Sequence, residues 1–282
     1  MFLDKDVCTT IGWSGGNELY SCSDDSTILK WSMNGEPMGK VCEMENTYFT
    51  DIHWFPTRNK KMLSSSPVAS SPSSAGSAAS ASSLPSPMVL SSQQSATEVF
   101  VISCADGTFK LVSKLGRVEY TVDAHKGAVV CMRWNYDGTS IASGGEDGVI
   151  KIWSRGCQLR STLATTGRCV YSLAWGPSNN EILYTCGRDL VIKPLQPSSK
   201  AMVWKAHDGP VIKVDWNPLT KLIVSGGEDG LYKVWDSYGR LVFQSSAFDY
   251  SITSVSWSPD GELFAVGSFN MLKICDKTGV SC

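Results

Sequence analysis

Histidine is nearly absent from this sequence: 282 residues contain three. No nucleophile has a base at a matching place, which leaves little room for acid–base or triad catalysis. None of the ten cysteines forms a C-x-x-C pair. Cys104, Cys131, Cys169 and Cys186 sit in strand-like segments as small apolar side chains do, so a reducing, intracellular compartment is expected. Apolar runs fall short of the roughly 20 residues that cross a bilayer. The start, MFLDKDVCTT, has no apolar stretch behind basic residues, so no secretory leader and no membrane insertion are expected. Net charge is −2, too balanced to supply the basic field that nucleic acid requires. Helical periodicity is also missing: no 12-residue stretch carries apolar residues at i, i+3, i+4 and i+7.

What the sequence does have is a repeat. SGGEDG occurs at 143–148 and again at 225–230. Trp134, Trp175, Trp216 and Trp257 are spaced 41 residues apart, as are Trp13 and Trp54. A Ser/Pro/Ala-rich stretch at 57–97 accounts for the wider gap between Trp54 and Trp134. With it removed, one period runs from Trp13 to Trp257. Within a unit such as 124–163, Val129–Trp134, Ser140–Ser143, Val149–Trp153 and Cys157–Leu163 read as four short antiparallel strands separated by turn signals. The expectation is an all-β propeller with six recognisable blades near 7–41, 48–122, 124–163, 166–204, 206–245 and 248–282. Trp13, Trp54, Trp134, Trp175, Trp216 and Trp257 are expected to pack between blades. The 57–97 insert, inside the second blade, has too little apolar content for a core and is expected to be disordered. Its Ser-Pro pairs make Ser66, Ser71 and Ser86 possible phosphosites.

SGGEDG could in principle cradle an anion, ligate a cation, or turn the chain. A phosphate loop should lead into a helix, and this one leads into a strand. A cation cage needs six to eight oxygens, whereas Asp24-Asp25, Glu146-Asp147 and Glu228-Asp229 are adjacent acids that point to opposite sides. Register with the repeat favours the turn. No cofactor, metal, small-molecule substrate or catalytic residue is therefore expected.

Units that carry Ala-His-x-Gly, then Asp-Gly, then Ile-x-x-Trp resemble WD repeats. The resemblance implies a buried hydrogen-bond network of His125, Ser143, Asp147 and Trp153 in the third unit, and of His207, Ser225, Asp229 and Trp235 in the fifth. Asp25 and Asp106 keep the turn acid without the His. The fourth and sixth units have Arg188 and Phe269 at that place and should lack the network. In WD repeats the loop before the first strand and the turn between the second and third share one face. That places Lys126, Glu146, Arg188, Asp208 and Glu228 as candidate partner contacts. His53, Arg133 and Asp215, one residue before their blade's Trp, join this candidate set from the opposite side of their strands.

DIHWFP (51–56), SKLGRVE (113–119), RWNYDGT (133–139), IKPLQP (192–197), WKAHDG (204–209), KVWDSYGR (233–240) and SPDGELFAVGSF (258–269) narrow the resemblance further. They are similar to the N-terminal propeller of a family of WD-repeat subunits of intraflagellar transport complex B. The resemblance implies a non-enzymatic scaffold for cilium assembly and cargo transport. Other complex B subunits would be its partners, at the basal body and axoneme and in the cytoplasm. Members of that family carry a seven-blade first propeller, a second propeller and a helical tail. The sequence is accordingly expected to be an incomplete seven-blade ring from a fragment, a short isoform or an incomplete gene model, with closure as a six-blade ring as the alternative. Two other classes remain open from the residues alone: a ubiquitin-ligase substrate receptor and a vesicle-coat-like component.

Overall fold

A computed structural model describes residues 7–56 and 98–281. Turn residues every few positions cut the described residues into 23 strands, and neighbours in sequence pair antiparallel within each sheet. The first sheet comprises β1 (Cys8–Trp13), β2 (Leu19–Ser23), β3 (Thr27–Trp31) and β4 (Pro37–Glu43). The second holds β5 (Phe49–Trp54), β6 (Val99–Cys104), β7 (Thr108–Ser113) and β8 (Val118–Asp123). In the third are β9 (Val129–Trp134), β10 (Ser140–Gly145), β11 (Val149–Ser154) and β12 (Leu159–Thr165). The fourth has β13 (Leu173–Trp175), β14 (Glu181–Cys186), β15 (Asp189–Pro194) and β16 (Met202–Lys205). The fifth has β17 (Val211–Trp216), β18 (Ile223–Gly227), β19 (Tyr232–Trp235) and β20 (Leu241–Gln244). The sixth stops at three: β21 (Ser254–Trp257), β22 (Leu263–Ser268) and β23 (Met271–Asp276). The last blade has no outer strand among the described residues.

These six sheets are the blades of a β-propeller. The first strands of successive sheets touch in order, β1 with β5, then β9, β13, β17 and β21, so they line a common axis. Between blades lie the apolar clusters. One joins Tyr20, Ile28 and Cys22 of the first blade to Ile52, Trp54 and Phe100 of the second. Another joins Val224, Tyr232 and Val234 of the fifth to Ile252, Trp257 and Phe264 of the sixth. Central strands such as β6 are buried at every residue, while outer strands such as β8 are mostly exposed. That gradient is what a wedge-shaped sheet packed on both faces produces.

Strand alternation shows which face of each blade is covered. A Cβ on Gly12 would lie 3.0 Å from Ile52 Cγ2, so Gly12 faces the second blade. Ile11 and Trp13 then face away, and Trp13 is 53% exposed. Trp54, Trp134, Trp175, Trp216 and Trp257 are buried against the preceding blade. Trp13 is the exception to the expected packing set because no described sheet precedes it. The sixth blade mirrors this: Cys275 turns its thiol to Tyr232 Oη of the fifth blade, and Leu272 and Ile274 point the other way and are exposed. Among the described residues no comparable contact joins β21 to β1.

Candidate functional site

The SGGEDG segments form the end of one strand and the turn into the next. In each copy the last glycine has a positive φ, +73° at Gly148 and +72° at Gly230. A Cβ there would also meet a carbonyl of the next inter-blade loop, Arg168 O at 2.7 Å or Phe248 O at 2.5 Å. The second glycine makes room for an imidazole: a Cβ on Gly145 or Gly227 would fall 2.5 or 2.6 Å from His125 or His207 Nδ1.

Those histidines are the middle of a chain of hydrogen bonds. Trp153 Nε1–H donates to Ser143 Oγ at 2.8 Å, and Ser143 Oγ lies 2.8 Å from His125 Nε2. His125 Nδ1 lies 2.9 Å from Asp147 Oδ1. An ionised carboxylate only accepts, so Nδ1 carries the proton and the serine hydroxyl donates to Nε2. The fifth blade repeats the geometry with Trp235, Ser225, His207 and Asp229 at 2.8–2.9 Å. Burial holds both imidazoles below their usual pKa, against the pull of the neighbouring aspartate. Burial alone would raise Asp147, but N–H donation from Lys126 and Val149 and the His125 bond hold it below the usual carboxylate value. Both its oxygens are occupied in this way, which suits a turn brace and not a cation ligand. The first blade keeps half of the arrangement, with Trp31 Nε1–H donating to Ser21 Oγ at 2.8 Å.

The five rim residues are exposed at one end of the blades. Asp208 pairs with Lys205 at 2.7 Å, and Glu146 accepts a hydrogen bond from the Ala128 N–H at 3.2 Å. Lys126, Arg188 and Glu228 present exposed side chains. The same end holds residues the sequence reading missed. Tyr250 and Phe269 pack with tilted rings, centroids 4.9 Å apart, beside a cavity of about 360 Å³ on the sixth blade, both rings exposed. Their signal was an aromatic in the loop before a first strand, faced by another in the turn that lacks its acid.

His53, Arg133 and Asp215 need a correction. They are not open surface groups, because each lies on an inner strand against its neighbour. His53 Nδ1 accepts the Trp134 N–H at 3.2 Å, and Asp215 Oδ2 accepts the Trp257 N–H at 2.7 Å. Arg133 Nη1 donates to Asp51 Oδ2, which also accepts the Met132 N–H at 3.1 Å. Ser172 continues the ladder, with its hydroxyl at Val214 N and O. Asp51 and Ser172 went unnoticed in the sequence because strand alternation assigns a side, not what covers it. Ser66, Ser71 and Ser86 lie outside the described residues, as does the 57–97 insert.

Repeated inner-strand tryptophans, an indole–hydroxyl–imidazole–carboxylate brace and antiparallel sheets around one axis define a WD-repeat β-propeller. The model for the WD domain, G-beta repeat, matches residues 116–154, 198–236 and 240–274. Within that class the chain is similar to intraflagellar transport protein 80: it is 48% identical over 98% of its length to the homologs from Mus musculus and Rattus norvegicus. It spans about a third of the length of those relatives (32%). It is also 33% identical, over 42% of its length and 27% of the relative's, to the nuclear distribution protein nudF of Aspergillus flavus.

Proposed function

We propose that this chain is the propeller of a non-enzymatic scaffold that works with intraflagellar transport complex B in building cilia and moving cargo along the axoneme. The observation that carries the reading is 48% identity across nearly the whole chain to intraflagellar transport protein 80 homologs. The fold supports it. The Ser and Asp of SGGEDG are tied into a structural brace, leaving its Glu in a rigid rim of exposed charged and aromatic side chains for partners. Partner contacts are placed on Lys126, Glu146, Arg188, Asp208 and Glu228, with Tyr250 and Phe269 added from the structure. Residence at the basal body and axoneme, with a cytoplasmic pool, follows from the same reading.

The test is affinity purification of the tagged protein, extended to the length of its relatives, from ciliated cells. Complex B subunits should be recovered, and the pair Arg188→Glu and Glu228→Lys should reduce that recovery. Recovery of a cullin ligase or of coat components in their place would overturn the reading.

A further inference from the structure

The inner strands carry more than a blade-to-blade ladder. Asp51 and His53 on β5, Arg133 on β9, and Lys213 and Asp215 on β17 come from three different blades and lie on the inner strands that line the axis. Burial raises both carboxyls and leaves Asp215 above its usual value, but Lys213 is near enough to Asp51, and Arg133 to Asp215, for each charge to pull the other way. Strands β9 and β13 lie between β5 and β17 around the ring, so this proximity runs across the channel.

The hydrogen bonds in this cluster are one-sided. Every carboxylate oxygen already has a backbone N–H. Asp51 Oδ1 and Oδ2 accept from Ile52 and Met132, and Asp215 Oδ1 and Oδ2 accept from Trp216 and Trp257. The donors are not used up. Among the described residues Arg133 donates only through Nη1, to Asp51 Oδ2 and Met132 O. His53 accepts at Nδ1, so its proton sits on Nε2, which has no acceptor among the described residues. Lys213 is half-buried, and its ammonium has no carboxylate or carbonyl partner among the described residues. A site with satisfied acceptors and unmatched donors of positive charge is built for an oxyanion.

We propose that the channel of this propeller binds an oxyanion between Arg133, Lys213 and the Nε2–H of His53. The anion is either a free phosphate or the acidic side chain of a partner polypeptide that enters the channel. Arg133 supplies its remaining guanidinium edge, Lys213 a point charge from across the axis, and His53 a neutral donor. Asp51 positions Arg133 and does not touch the ligand. The site lies apart from the exposed rim, so it stands or falls separately from the assignment of partner contacts there.

Calorimetric titration of the purified chain at low salt tests the site, once with inorganic phosphate and once with an acetylated hexaglutamate peptide. Binding of either should weaken at least about tenfold in Lys213→Met and stay unchanged in Lys200→Gln, an exposed control outside both the channel and the rim contacts. Phosphate binding identifies a free anion as occupant; peptide binding that phosphate does not match identifies a partner's acidic side chain. Failure of both probes to bind, or equal binding by Lys213→Met, overturns the proposal. Should Lys213→Met not fold, the imidazole nitrogen resonances of His53 in the unmodified chain give the answer. The Nε2 signal should move on adding whichever probe binds, and a stationary signal overturns the site.

Discussion

At the scale of single residues, a few side chains hold positions that their neighbours cannot replace. Asp147 and Asp229 each take an imidazole N–H and backbone N–H groups on one carboxylate. Hydrogen bonds to charged groups contribute about 1.5–3 kcal/mol, and the donors left behind would be poorly solvated. Asp147→Ala and Asp229→Ala should therefore each lower stability by about 2 kcal/mol, read as a lower urea midpoint at constant slope. Unchanged midpoints in both would show that the brace does not hold the blade. His53 makes a second case through pH. Burial, then the Arg133 charge, pushes its pKa from 6.5 down to about 3. A folded value below the unfolded one means that the unfolded chain takes up the proton first. The contribution is complete above 6.5 and fades as pH falls toward 3. Between pH 7.5 and 5.5 this one group should withdraw about 1.4 kcal/mol. His53→Asn keeps an acceptor for the Trp134 N–H and should flatten the stability profile by that amount. An unaltered profile would place His53 outside the buried ladder. The brace residues were legible in the sequence because their spacing follows the repeat. The partners of His53 were not, since Asp51 and Lys213 have no equivalent in every blade and meet only when the ring is assembled.

At the scale of elements, the inner strand and its terminal tryptophan are the repeating contact. Trp54 packs its ring 4.5 Å from Tyr20 of the preceding blade and 4.6 Å from Phe100 of its own. Trp13 occupies the same repeat position and has no such neighbour among the described residues. The 41-residue period gave both residues the same environment, which is where sequence reasoning stops: periodicity identifies an equivalent strand but not whether another sheet covers it. The strand pattern itself was read closely, since β9 and β11 fall where alternation and turn residues placed them. The two tryptophans should differ sharply on truncation. Trp54→Ala removes a buried ring and should cost about 3–5 kcal/mol. Trp13→Ala should stay within about 0.5 kcal/mol, as surface changes do. Equal losses in chemical denaturation would mean that Trp13 is covered in solution.

At the scale of the whole molecule, the two end blades decide how this chain behaves by itself. The first leaves Ile11 and Trp13 open, and the sixth leaves Leu272 and Ile274 open. β23 adds an edge, since among the described residues its sheet partner is β22 alone apart from a single bridge from Cys275 to Ser281. Apolar faces of this kind associate, and an unpaired strand edge gives the association a direction through backbone hydrogen bonds. The isolated chain should therefore sediment as a mixture whose average mass rises with concentration from about 10 micromolar upward. Replacing Ile11 and Leu272 by lysine puts charge at the centre of each face without touching the inter-blade clusters. That pair should shift the distribution toward a single chain while leaving the far-ultraviolet circular dichroism unchanged. Coverage of the faces by a partner would act in the same direction, so the comparison belongs in purified protein. A single species at the mass of one chain, for the unmodified protein across that range, would mean that the end faces are closed in solution.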